Sequence, residues 1–122
     1  MFLGHVQTMR DLYAASDIFA FPTFFDSFSL VVLEALASGL PVVTTKWCGA
    51  AFLIESPKTG IILEKDYDIQ ALAEAIRFYS REETRAETLT SLSSSVISCD
   101  TKQHLDQICE IYHQILEEKI HG

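Results

Sequence analysis

The sequence predicts an α/β protein, Rossmann-like, with a parallel sheet sandwiched between helices in three α/β/α layers. Two observations carry this. Short, continuous apolar runs recur at residues 18–21, 41–45 and 59–63, and strands buried on both faces read as unbroken runs rather than as an alternation. Between and after them lie segments in which apolar residues return at helical spacing, the order expected of successive βαβ units.

Taken in order, residues 1–4 form a short apolar run, followed by His5, and read as a first strand. Thr8 is placed to cap a helix over residues 8–16, with Met9, Leu12 and Tyr13 on one face. Asp17 leads into the strand at 18–21, which Pro22 stops. A helix from Leu30 to Ser38 closes on Gly39, a natural residue just past a helix end. The strand at 41–45 opens with Pro41, where no ladder donor is missed. A loop containing Pro57 leads to the strand at 59–63. Asp66 or Asp68 then caps a helix over 69–79, with Ile69, Leu72, Ala73, Ile76 and Tyr79 as its apolar stripe. The chain becomes polar after Ser80. One helix is expected over 82–94, then a serine-rich turn near Ser98. A last helix over 102–119, capped by Asp100 or Thr101, carries a stripe of Leu105, Ile108, Cys109, Tyr112, Ile115, Leu116 and Ile120.

Composition narrows the function classes. The 122 residues suit one domain, and 48% of them are hydrophobic, high for so short a chain and suggestive of surface that belongs against something else. The uncharged stretch at 27–33 is far short of the roughly 20 residues a membrane span needs. No basic segment precedes an apolar run at the N-terminus, so no secretory leader is expected. A net charge of −8 with nine scattered basic residues argues against nucleic acid. Three cysteines, Cys48, Cys99 and Cys109, without a C-x-x-C spacing, read as free thiols of a reduced, cytoplasmic protein with no zinc site.

The chemistry concentrates in "FFDSFSLVVLEA", residues 24–35. It is the loop at the carboxyl end of a parallel strand, where doubly wound sheets bind ligands, and it opens a helix. The amides of Ser29, Leu30 and Val31 at that helix start offer an anion site. Asp26 sits before it. Glu34 lies too deep in the helix to act as a cap, among Leu30, Val31, Val32, Leu33, Ala35, Leu36 and Ala37, which read as interior. Carboxylates repel phosphates but accept strong hydrogen bonds from hydroxyls. A phosphate flanked by hydroxyl-rich groups describes a nucleotide-sugar. On spacing alone, a turn-forming Asp and a solvated Glu outweigh that reading by roughly two to one.

The blocks "LYAASDIFAFPTFFDSFSLVVLEALASGLPVVTT" and "TGIIL" change the balance, because in their order and spacing they resemble the C-terminal, donor-binding domain of retaining GT-B glycosyltransferases of the glycosyl transferase group 1 family. The resemblance covers roughly residues 1–79, and "KWCGAAFLI" is nearest to lipopolysaccharide-core glucosyltransferases. It implies a partial GT-B C-terminal nucleotide-sugar-binding domain over 1–122, with strand/helix repeats at 1–79 and trailing helices at 80–122. By that resemblance Asp26 takes the place of the first Glu of the family's E-x7-E element, toward the donor sugar. Ser27, Phe28, Ser29 and Leu30 take the place of Gly-Phe-Gly-Leu, whose amides meet the diphosphate. Glu34 takes the place of the second Glu, on the ribose hydroxyls. Asp for Glu shortens one side chain by about 1.5 Å, and Ser for Gly is costly wherever φ is positive.

The resemblance further implies sugar transfer to an acceptor hydroxyl in glycan or lipopolysaccharide biosynthesis, metal-independent and with no cofactor. The acceptor would be bound by an N-terminal domain this chain lacks, and the intact enzyme would be cytoplasmic or peripheral at the inner face of the membrane. A truncated module acting only in assembly is the alternative. With the strand order 3-2-1-4-5-6 of such folds, residues 1–4 would be strand 3 and the strand at 18–21 an uncovered apolar edge, favouring self-association. His113, Glu117 and His121 share a helix face, but a solvated face is favoured over a metal site by roughly ten to one. Cys48, Trp47 and His5 read as structural, and no catalytic residue is assigned.

Overall fold

The computed structural model describes residues 2–94 and 101–121. Its sheet contains β1 (Phe19–Phe21), β2 (Val42–Thr45) and β3 (Gly60–Leu63), all parallel and in sequence order across the sheet. Phe19 pairs with Val42 and Phe21 with Thr44, while Val42 pairs with Gly60 and Thr45 with Leu63. All four residues of the central β2 are buried, which is why its sequence reads as one unbroken run.

Alternate residues of β2 point to opposite faces, and each face has its own core. Val42 packs with Tyr13 of α1 (Met9–Ala14), with Val32, Ala35 and Leu36 of α2 (Leu30–Ala37), and with Leu92 of α4 (Glu82–Ser94). Val43 packs on the other face with Leu63 and with Ala75 and Tyr79 of α3 (Ile69–Tyr79). Helices therefore cover both sides of the sheet, and the expected three-layer arrangement is realised. α5 (Thr101–His121) follows α4, with Leu105, Ile111, Tyr112, Ile115 and Leu116 exposed. The expected turn near Ser98, Cys99, the cap at Asp100 and the side chains of Ile120 and His121 lie outside the described residues.

Several expectations are corrected. Residues 2–4 form no strand; Phe2 and Leu3 are exposed. A strand exists only where a neighbour completes its backbone hydrogen bonds, and no adjacent strand is present there among the described residues. β1 accordingly occupies the edge of the sheet, as the strand-order reading expects. Thr8 precedes α1 without a side-chain capping bond. Asp68, rather than Asp66, caps α3, its Oδ1 accepting from the Ala71 amide at 2.9 Å. The buried stripe of α3 is turned from the one expected. Ala75 and Tyr79 are buried, while Ile69 is 78% exposed and Ile76 lies at the surface. The small Ala75 lets the helix approach the sheet closely, and the Tyr79 hydroxyl donates to the Pro57 carbonyl at 2.7 Å.

α2 ends as its sequence suggests. Gly39 has φ 83°, the Gly39 amide donates to the Leu36 carbonyl and the Leu40 amide to that of Ala35, closing the helix in a left-handed turn. α4 is polar but not detached. Its Arg85 Nη1 donates to the Tyr79 carbonyl at 3.0 Å and the Ser80 carbonyl at 2.8 Å, and Nε lies 3.3 Å from Asp17 Oδ1. That one side chain joins the end of α3 to the entry of β1.

Candidate functional site

The site candidates lie at the carboxyl edge of the sheet, on the loop between β1 and α2. Two buried threonines of β2 hold this loop down. Thr44 Oγ1 donates to the Phe21 carbonyl at 2.8 Å and Thr45 Oγ1 to the Thr23 carbonyl at 2.6 Å. A buried hydroxyl is costly unless bonded, so the loop fixes the threonines as much as they fix it.

Asp26 is anchored further along. Its amide donates to the Trp47 carbonyl at 3.1 Å and its carbonyl accepts from the Gly49 amide at 2.8 Å, an isolated parallel bridge opposite Cys48. The sheet is thus prolonged by one residue on the ligand side. Gly49 makes the approach possible, since a Cβ there would stand 1.9 Å from the Ser27 carbonyl oxygen. The Asp26 side chain turns back on its own loop, Oδ1 accepting from the Phe28 amide at 3.1 Å. Of the amides assigned to the diphosphate from sequence, that of Phe28 is therefore engaged within the loop.

Ser29 opens α2 with φ 64° and ψ 83°, in the left-handed region, and its side chain makes no capping bond. It is buried, and its Oγ has no partner among the described residues. The Leu30 and Val31 amides that follow have no carbonyl of their own helix to bond. Ser27, Phe28 and Leu30 are exposed around this opening, and the Phe28 ring leans on Phe52, centroids 6.3 Å apart.

Glu34 is exposed rather than interior, a correction to the reading of its neighbours; Leu30 and Ala37 are exposed too. The helix buries only Val32, Ala35 and Leu36, a stripe that leaves the fifth residue facing outward. The carboxylate is nonetheless fixed. The Tyr13 hydroxyl donates to its Oε2 at 2.9 Å, and Tyr13 is itself buried with its ring edge-on to Phe19. Burial, then the bond to Glu34 and its charge, push the Tyr13 hydroxyl up to about 12. It stays protonated as the donor.

Asp26, Ser27, Phe28, Ser29, Leu30 and Glu34 are thus brought together at one sheet edge. Tyr13, Thr44, Thr45 and Gly49, which position them, were not singled out from sequence. The signals existed: a tyrosine on the inner face of a helix needs a partner for its hydroxyl, and paired threonines end an otherwise apolar strand. Cys48 is buried, whereas Trp47 and His5 are exposed. His113 Nδ1 lies 2.9 Å from the Cys109 carbonyl oxygen, and the described residues hold no group of three potential metal ligands.

A three-layer fold with parallel strands in sequence order and a worked loop at their carboxyl ends defines the Rossmann-like α/β class, whose ligands lie at that edge. Within the class the chain is placed by its sequence: residues 1–81 match the pattern of glycosyl transferases group 1, and the chain belongs to that family. It is 28% identical over 120 residues to the lipopolysaccharide core biosynthesis mannosyltransferase LpsB of Rhizobium meliloti (strain 1021), covering 95% of this chain and 34% of that protein. A crystal structure of WaaG, a glycosyltransferase involved in lipopolysaccharide biosynthesis, superposes with a TM-score of 0.65 at 27% identity, over 74% of this chain and 25% of WaaG. Sucrose-phosphate synthase from Thermosynechococcus elongatus gives a TM-score of 0.73 at 26% identity, over 88% of this chain and 27% of that one. These likenesses bear out the fold class and the GT-B resemblance. The chain spans about a fifth to a third of the length of the curated relatives it matches.

Proposed function

We propose that this chain is the donor-binding part of a retaining, metal-independent glycosyltransferase that moves a sugar from a nucleotide-diphosphate carrier to an acceptor hydroxyl in glycan or lipopolysaccharide biosynthesis. The observation that carries the reading is the Tyr13–Glu34 bond beside the open start of α2. An exposed glutamate fixed by a buried tyrosine is held in one direction before any ligand arrives, and that lowers the cost of gripping a pair of hydroxyls. Glu34 faces the ribose in this reading, the Leu30 and Val31 amides the diphosphate, and Asp26 the transferred sugar. Neither carboxylate acts as a general base. The acceptor hydroxyl is held mainly by a further domain, and the intact enzyme works in the cytoplasm or at the inner membrane face; no helix among the described residues is long and apolar enough to cross a membrane.

Titration with UDP-, GDP- and ADP-sugars tests the reading. Weak, saturable binding is expected, falling roughly tenfold or more in Glu34→Ala, the worth of a charge-assisted hydrogen bond, and unchanged in His113→Ala. Absence of binding at millimolar ligand favours the second reading, a non-catalytic module acting in assembly, to which the strained Ser29 lends weight.

A further inference from the structure

A second cleft opens on the same edge of the sheet, beside the Asp26 loop. It is open to solvent, holds about 460 Å³, and is walled by residues following all three strands. Phe24 comes from the loop after β1, Trp47 from the end of β2, and Tyr67 from the turn after β3. All three rings stand in solvent, 73%, 50% and 73% exposed, and none stacks on another ring among the described residues. Large aromatic surface left open is costly, and here three rings share the rim of one shallow depression.

The charges complete the picture. Lys46 and Lys65 face Glu64 and Asp66 in the same cleft, so the four formal charges cancel. Lys46 Nζ is 3.0 Å from Glu64 Oε2 and 5.5 Å from the centre of the Trp47 ring. A phosphate-bearing ligand gains little from a balanced rim. A neutral ligand with an apolar face and many hydroxyls gains from both parts: rings receive the face, while charged side chains bond the hydroxyls. A pyranose ring has that chemistry. The Trp47 carbonyl also accepts from the Asp26 amide, and Phe24 lies two residues before Asp26, so the cleft adjoins the candidate donor loop.

We propose that the Phe24–Trp47–Tyr67 cleft binds a neutral pyranose unit of the acceptor glycan, an acceptor subsite carried on the donor-binding part of the enzyme. It rests on the glycosyltransferase reading above. The expected order is a glycan chain lying across the aromatic rings, its acceptor end leading over the Asp26 loop toward the donor sugar.

Amide and indole NMR shifts of the 122-residue chain, titrated separately with maltotriose, cellotriose and UDP, test this. Trp47 is the one tryptophan of the sequence, so the indole resonance reports the cleft alone. A trisaccharide is expected to move the Trp47 indole and the amides of residues 64–67, with affinity about tenfold weaker in Tyr67→Ala and Phe24→Ala. Tyr67→Phe should retain it, and Tyr112→Ala on α5 should leave it unchanged. Both cleft rings are largely exposed, so their alanine variants lose no core, and preserved spectral dispersion confirms that they fold. UDP should instead move residues 28–34, and do so equally in Tyr67→Ala. UDP binding without any trisaccharide shift at tens of millimolar overturns the subsite and leaves the donor reading standing. Competition between the two ligands also overturns it, because the cleft would then be part of the donor site. Trisaccharide binding without UDP binding upholds the cleft as a carbohydrate site and sinks the donor reading.

Discussion

Ser29 shows how much one residue decides at this site. Its φ of 64° costs a residue with a Cβ roughly 1–2 kcal/mol, and its buried hydroxyl, without a partner among the described residues, adds to that. Ser29→Gly relieves both, partly offset by the entropy of a freer unfolded chain. A gain of about 1 kcal/mol is expected, read as a raised denaturant midpoint at unchanged slope. A midpoint that falls would mean the hydroxyl has a role the fold needs. Serine in place of the family's glycine is visible in the sequence; that this position takes a positive φ is not, because a backbone angle is set by the loop and helix it joins. Glu34 teaches the same lesson from the other side. Its isolation among apolar residues is legible, but its tie to Tyr13, 21 positions away, arises only when α1 packs beside α2.

Among the elements, the loops after β1 and β2 behave as one piece, laced by Thr44, Thr45 and the two backbone bonds of Asp26. Gly49 is the tightest point. Gly49→Ala places a methyl inside van der Waals contact with the Ser27 carbonyl and is expected to cost roughly 3 kcal/mol, as overpacking does. Thermal unfolding checks this, and an unchanged melting temperature would show that the loops separate freely. The helices and strands themselves were readable from periodicity and caps, as at Asp68 and Gly39. The rotation of α3 was not, because Ile69 and Ala75 compete for the same stripe and only the sheet decides which side faces in. The strand expected at the N-terminus failed over residues 2–4 for a related reason: apolar character marks a strand only when a neighbouring strand is there to pair.

For the whole molecule, two tyrosines set the alkaline limit. Burial pushes the Tyr79 hydroxyl up to about 12, as burial and Glu34 do for Tyr13. Each has a higher pKa folded than unfolded, so its contribution is complete below about pH 10 and is lost as pH rises toward 12. Denaturation followed from pH 9 to 12 should therefore show stability falling throughout the upper part of that range; a flat profile would contradict the burial of both hydroxyls. β1, with one flank unpaired within the described sheet, is also expected to draw a second copy to its edge. Sedimentation velocity should show a mass that rises with concentration, and a monomer at every concentration would dismiss the pairing.

The order of the strands has a further consequence. Each strand lies beside the one that follows it in the chain, so no later segment must thread back between strands already joined. The sheet can be laid down in the order of synthesis, β1 against β2 and then β3 against β2, each addition closing a loop of modest length. Loops of that size make assembly quick for a parallel sheet, and the loops after all three strands stand side by side once β3 docks.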